Sequence, residues 1–135
     1  MQVLIIDDDI DITETLGDYF RERGEICRVY NKGAEGLKAM GSDPFDVALL
    51  DLSMPGINGF DSLKALAYKG ILRKRTVFVI TAMDISPESE KLMREAGVVE
   101  IIRKPFSIEY LTKTLEKYTN SAATSSKDSK GDNNK

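Results

Sequence analysis

Four short apolar runs, each leading into a polar side chain, constrain this chain more than any other feature. Val3-Leu4-Ile5-Ile6 runs into Asp7-Asp8, and Val47-Ala48-Leu49-Leu50 runs into Asp51. Val77 to Ile80 runs into Thr81, and Ile101-Ile102-Arg103 into Lys104-Pro105. Runs this short, with no polar alternation, read as strands buried on both faces. Between them lie longer stretches with apolar residues at helical spacing, such as Ile12, Leu16, Tyr19 and Phe20. Strands alternating with helices imply a parallel sheet covered on both sides. The carboxyl ends of such strands line one edge, where ligands bind. Folding therefore gathers three carboxylates, a hydroxyl and an ammonium in one place.

Punctuation residues complete the pattern. Gly24 closes the first helix, Ile26 to Tyr30 is a second strand interrupted by polar residues, and Ala34 to Met40 is a helix ended by Gly41. Pro55-Gly56-Ile57-Asn58-Gly59 is a turn cluster before a helix from about Phe60 to Tyr68. Ser86-Pro87 opens another helix and Gly97 closes it. Glu100 to Ile102 is a short fifth strand, and Ser107 caps a last helix carrying Ile108, Leu111 and Leu115. Five such units predict an α/β flavodoxin-like (βα)5 three-layer sandwich. Its five-stranded parallel sheet has the order 2-1-3-4-5, with a crevice where strands 1 and 3 diverge. The chain has 135 residues, enough for one domain with a real core. That domain is expected over residues 1–119. Residues 120–135 hold no large apolar side chain and read as a disordered polar tail.

Composition excludes several functions. The formal net charge is −3, which argues against gripping nucleic acid or an anionic membrane. Cys27 is the only cysteine, so no internal disulfide can form. Without histidine, Ser-His-Asp triads, Cys-His dyads and the commonest zinc sites are unavailable. No apolar stretch approaches the roughly 20 residues that span a bilayer. The chain opens directly on a strand, so no signal peptide is expected and the location reads as cytoplasmic. No G-x-G-x-x-G or P-loop motif supports nucleotide binding.

The clustered carboxylates point to a cation. Three close carboxylates repel one another unless a divalent ion joins them, and Mg²⁺ takes one or two carboxylates with phosphate oxygens and waters. Asp7 and Asp8 read as its holders, while Asp9 and Asp11 suit the positive end of the first helix. Asp51 reads as a carboxylate nucleophile that accepts a phosphoryl group. Lys104 supplies a compact charge beside it, and Thr81 a hydroxyl for a phosphate oxygen. Taken singly, each has an ordinary alternative: a turn cap, a surface lysine, a β-branched strand end. Either isomer of the Lys104-Pro105 bond is open.

In order and setting these residues resemble the receiver domain of two-component response regulators, the CheY-like family. The likeness covers Met1 to about Tyr118. It rests on Ile5-Ile6-Asp7-Asp8-Asp9, Leu49-Leu50-Asp51-Leu52-Ser53-Met54-Pro55-Gly56, Gly59, Thr81-Ala82 and Lys104-Pro105-Phe106. The resemblance implies that Asp51 takes phosphate from a histidine kinase or phosphotransfer protein. It implies that Asp7, Asp8, Asp51 and the main-chain carbonyl of Ser53 hold Mg²⁺, and that Thr81 and Lys104 contact the phosphoryl group. Such a domain is a switch that catalyses only its own phosphorylation and dephosphorylation. It acts on a downstream protein target, through the surface of the fourth helix, fifth strand and fifth helix. A stand-alone receiver is expected, as a monomer or weak dimer, with no direct nucleic-acid or membrane contact.

One position departs from the pattern. The family usually places Tyr or Phe three residues before the lysine; here that residue is Ile101. Isoleucine cannot swing a ring inward, so coupling is expected through the backbone of the loop after Thr81. Ser53 and Met83 offer no carboxylate or amide to position an attacking water, so slow decay of the phosphorylated state is expected. Two other readings stand beside this one. A degenerate receiver would act as a phosphorylation-independent interaction module. A phosphatase using an aspartyl phosphate would need a second acid that Leu52-Ser53 does not supply.

Overall fold

The computed structural model describes the backbone of residues 1–54 and 59–128, and the side chains of residues 1–54 and 61–118. The expected turn at Pro55 to Asn58 lies outside the described residues. Within Met1–Pro105, five strands form one sheet: β1 (Gln2–Ile6), β2 (Ile26–Tyr30), β3 (Val47–Asp51), β4 (Thr76–Thr81) and β5 (Glu100–Arg103). All neighbours pair in parallel, in the order β2-β1-β3-β4-β5. Helices α1 (Ile10–Glu22), α2 (Gly33–Ser42), α3 (Gly59–Tyr68), α4 (Ile71–Lys74) and α5 (Pro87–Ala96) connect the strands. The α/β architecture and strand order match the sequence expectation.

Burial explains the strand sequences. Every residue of β3 is buried, and so are Val3 to Ile6 of β1 and Val77 to Thr81 of β4. A central strand with both faces covered has no place for the alternating polar residues of a half-solvated one. Leu4, Ile6, Leu50 and Val79 share a core with Met40, Leu63, Leu66 and Leu72. Each fully buried aliphatic of this kind stabilises the fold by about 1.5–3 kcal/mol. At Gly36 a Cβ would stand 2.5 Å from Cγ2 of Ile6, so α2 can sit on β1 only without a side chain there.

The helix signals hold at most ends. Asp9 caps α1, its carboxylate accepting from the Ile12 amide at 3.2 Å. Ser86 caps α5 by accepting from the Ser89 amide at 3.1 Å, with Pro87 in the first turn. Gly97 ends α5 at φ 126°, where a Cβ would also meet Leu72 backbone at 2.8 Å. The one-turn α4 is absent from the sequence expectation. Gly70, at φ 79°, breaks the chain after α3, and Ile71-Leu72-Arg73-Lys74 then winds once. Four residues are too few to show a helical period.

From Phe106 the described chain is a second unit, built on α6 (Ile108–Asp128). Ser107 opens it, its hydroxyl accepting from the Tyr110 amide at 3.0 Å. Leu111 and Leu115 are buried. The helix continues through Asn120, where the sequence suggests a disordered tail to begin. No Pro or Gly interrupts residues 119–128, and Ala122-Ala123 favour helix, although the Ser, Thr, Asn and Asp around them are weaker helix formers. Residues 129–135 of the expected tail lie outside the described residues.

Candidate functional site

The sheet order makes the site. Because β1 lies between β2 and β3, and β4 follows β3, the chain segments after β1, β3 and β4 emerge side by side. Asp7 follows β1 and is buried, and Asp51 and Thr81 are the buried last residues of β3 and β4. Lys104 follows β5 and reaches back to both acids. Its Nζ donates to Asp7 Oδ1 at 3.2 Å and to Asp51 Oδ2 at 3.2 Å. The Lys104 amide donates to the Thr81 carbonyl at 2.8 Å, which fixes the root of that side chain. The Lys104–Pro105 bond is cis.

Asp7, Asp8 and Asp51 each offer an oxygen, all within 4.8 Å of one another. Asp8 is exposed, so the cluster opens to solvent on that side. One ammonium cannot neutralise three carboxylates. Burial, with the negative charge of Asp51 adding to it, pushes Asp7 up to about 6, against the Asp9 amide and Lys104. Asp7 Oδ2 is buried without a hydrogen bond, although it lies 3.1 Å from Lys104 Nζ in an ion pair. Hard oxygen donors, excess negative charge and an orphaned carboxylate oxygen fit a hard divalent cation.

Asp51 is held differently. Burial alone would raise its pKa. Hydrogen bonds from Ser53 and the Lys104 charge outweigh that and hold the carboxyl below its ordinary value. Both Ser53 donors meet one oxygen: the amide reaches Asp51 Oδ1 at 2.8 Å and the hydroxyl reaches it at 2.6 Å. The resemblance gives the Ser53 carbonyl a different part, as a metal ligand; its amide and hydroxyl are the groups that touch Asp51. Burial would lower the pKa of Lys104, but Asp7 and Asp51 raise it above the ordinary lysine value. The Thr81 hydroxyl oxygen accepts from the Met83 amide at 2.9 Å, which leaves its proton to donate elsewhere.

Asn31 escaped the sequence reading. Its Nδ2 donates to the Asp7 carbonyl at 2.8 Å and to the Thr13 hydroxyl at 3.0 Å, fixing the turn that carries the acids. The signal was present, because Asn31 directly follows β2 at the same sheet edge as the other site residues. Polar residues inside β2 obscured it. Among the described residues, no helix is long and apolar enough to cross a membrane.

Comparison with known proteins agrees with this fold. Residues 3–116 match the family described as the response regulator receiver domain. The transcriptional regulatory protein CiaR of Streptococcus pneumoniae is 31% identical over 116 residues, 86% of this chain and 50% of that protein. This chain thus spans about half the length of the curated relatives it matches first. Among solved structures, the receiver domain of the Francisella response regulator 1452 superposes with a TM-score of 0.75 at 29% identity, covering 90% of this chain and 98% of that one. The response regulator TrrA of Thermotoga maritima, in complex with Mg²⁺-BeF, gives a TM-score of 0.68 at 28% identity, covering 86% of this chain and 96% of that one.

Proposed function

This chain belongs to the response regulator receiver domain family, and from that premise we propose that Asp51 is its phosphoacceptor. The donor is a phosphohistidine on a kinase or phosphotransfer protein. A carboxylate oxygen of Asp51 attacks phosphorus in line, the phosphorus–nitrogen bond breaks, and the leaving imidazole keeps the electron pair and takes a proton. Asp51 suits the role because Ser53 and Lys104 keep its carboxylate ionised at neutral pH despite its burial. Lys104 neutralises charge beside it and moves to the phosphoryl oxygens. Thr81 donates its free proton to one of them.

Asp7, Asp8 and Asp51, with the Ser53 carbonyl, would hold Mg²⁺. The ion supplies charge neutralisation on the phosphoryl oxygens. The Mg²⁺-BeF complex of the Thermotoga neighbour supports this metal. The observation that carries the reading is the convergence of three carboxylates and one lysine at one edge of the sheet. Residues 1–119 are the receiver in this reading. The chain works in the cytoplasm as a monomer or weak dimer, between its phosphodonor and a downstream protein target, and catalyses only its own phosphorylation and dephosphorylation.

Intact mass tests the reading directly. The folded chain is incubated with Mg²⁺ and acetyl phosphate beside Asp51→Asn. One added phosphoryl group is expected, absent in the variant and without metal. No adduct on folded protein would move the chain to the phosphorylation-independent module.

The output side follows from Ile101. This side chain is already buried, at 9% exposure, and has no ring to exchange between two positions. The loop from Thr81 to Ser86 is tied to the site by the Met83 amide on the Thr81 hydroxyl. When Thr81 turns to the phosphoryl group, that bond is strained and the loop backbone shifts. Amide spectra of free and phosphorylated protein should therefore differ between Asp84 and Arg103; identical spectra there would sink this route.

A further inference from the structure

We infer that the groove between α2 and α3 docks an acidic amphipathic helix of a partner protein. The β2–β3 and β3–β4 crossovers run in the same direction across the sheet, so right-handed connections put α2 and α3 on one face. These neighbours barely touch, whereas α3 packs on α4 and α5. The space between them is a cavity of about 500 Å³. Its floor is apolar, formed by Ala34, Leu37, Ala65 and Leu66. A groove framed by two helices with such a floor takes the apolar stripe of a third helix.

The rim gives the sign of the partner's charge. Lys38 and Lys69 stand on it, and Lys69 also lines an adjoining 350 Å³ hollow with Lys74 and Arg75. Among the described residues, none of these four cations has a carboxylate at ion-pair distance. The carboxylates present are engaged within the chain. Asp43 accepts from the Ser42 and Tyr30 hydroxyls, and Asp61 has a contact of its own. The asymmetry is regional: residues 31–75 hold seven lysines and arginines against five acids, and residues 1–30 hold three against eight. A cationic rim around an apolar floor selects Asp and Glu flanking an apolar stripe. Nucleic acid has no use for that floor, and the whole chain, at −3, repels it.

A displayed library tests this without reference to Asp51. Eighteen-residue helices carry Leu, Ile or Met at i, i+3, i+4 and i+7 with Asp or Glu elsewhere, and are panned against the full chain. A second library replaces the acids with Lys and Arg. Acidic helices should enrich selectively. Their synthetic peptides should shift the amides of Ala34, Leu37, Lys38, Ala65 and Lys69, and bind at least tenfold more weakly to the double variant Lys38→Glu, Lys69→Glu. That variant should still take up phosphate from acetyl phosphate, which shows that it folds and separates this test from the Asp51 reading. Equal enrichment of both libraries, or peptide shifts elsewhere, overturns the inference. So does sedimentation showing self-association that the double variant abolishes, because the groove then belongs to a second copy.

Discussion

At the scale of single residues, the site contains a conflict that the fold holds in place. Asp7 is buried beside Asp51, and its pKa of about 6 means that the folded chain binds a proton there that the unfolded chain releases near 3.8. Where the folded state binds more protons, stability falls as pH rises, so Asp7 weakens the metal-free protein progressively between those two values. Asp51 has the opposite sign. Its depressed pKa contributes stability above the unfolded value, and this is lost as pH falls through the folded value. Asp7→Asn should therefore stabilise the metal-free protein at pH 7 by about 1–3 kcal/mol. It should also flatten the pH dependence between 4 and 6 in urea titrations; a destabilised variant would contradict the reading. Two other residues bear on the slow decay proposed for a phosphorylated state. Met83 is 46% exposed and Ser53 already spends its hydroxyl on Asp51, so neither prepares a water for attack. Met83→Glu or Ser53→Asn should speed decay of the phosphorylated state by roughly tenfold or more, followed by mass or radiolabel. An unchanged rate would remove both residues from the account.

Elements show why part of the molecule was legible in its sequence. Val47 to Leu50 reads as a doubly covered strand, and the polar residues at its end and at the ends of β1, β4 and β5 then fall on one edge. That single inference located Asp7, Asp51, Thr81 and Lys104. What stayed hidden depended on packing or on local backbone. α4 is one turn set off by Gly70, α6 runs through residues that composition alone marks as solvated, and Asn31 follows a strand whose pattern is broken by Arg28. The seat of α2 was equally illegible, because no sequence pattern says that Gly36 stands against Ile6. Gly36→Ala should cost about 1–3 kcal/mol by overpacking, measured by denaturant unfolding. In an Ile6→Ala background most of that cost should disappear; an undiminished cost would place the strain elsewhere.

Across the whole molecule, the proposed metal site would link ion binding to folding. A cation bound only by the folded chain stabilises it by about 2.7 kcal/mol at a hundred times its dissociation constant. Mg²⁺ should therefore raise the melting temperature of the wild-type chain, and Asp7→Asn should lose most of the shift while starting from a higher baseline. A Mg²⁺ shift of full size in Asp7→Asn would place the ion outside this cluster. The orphaned Asp7 oxygen then has a consequence outside signalling. Proteases attack the transiently opened chain, and its population follows folding stability when opening and closing are fast. With Mg²⁺ as the proposed ion, the same carboxylate would therefore tie the survival time of each molecule to the free magnesium around it.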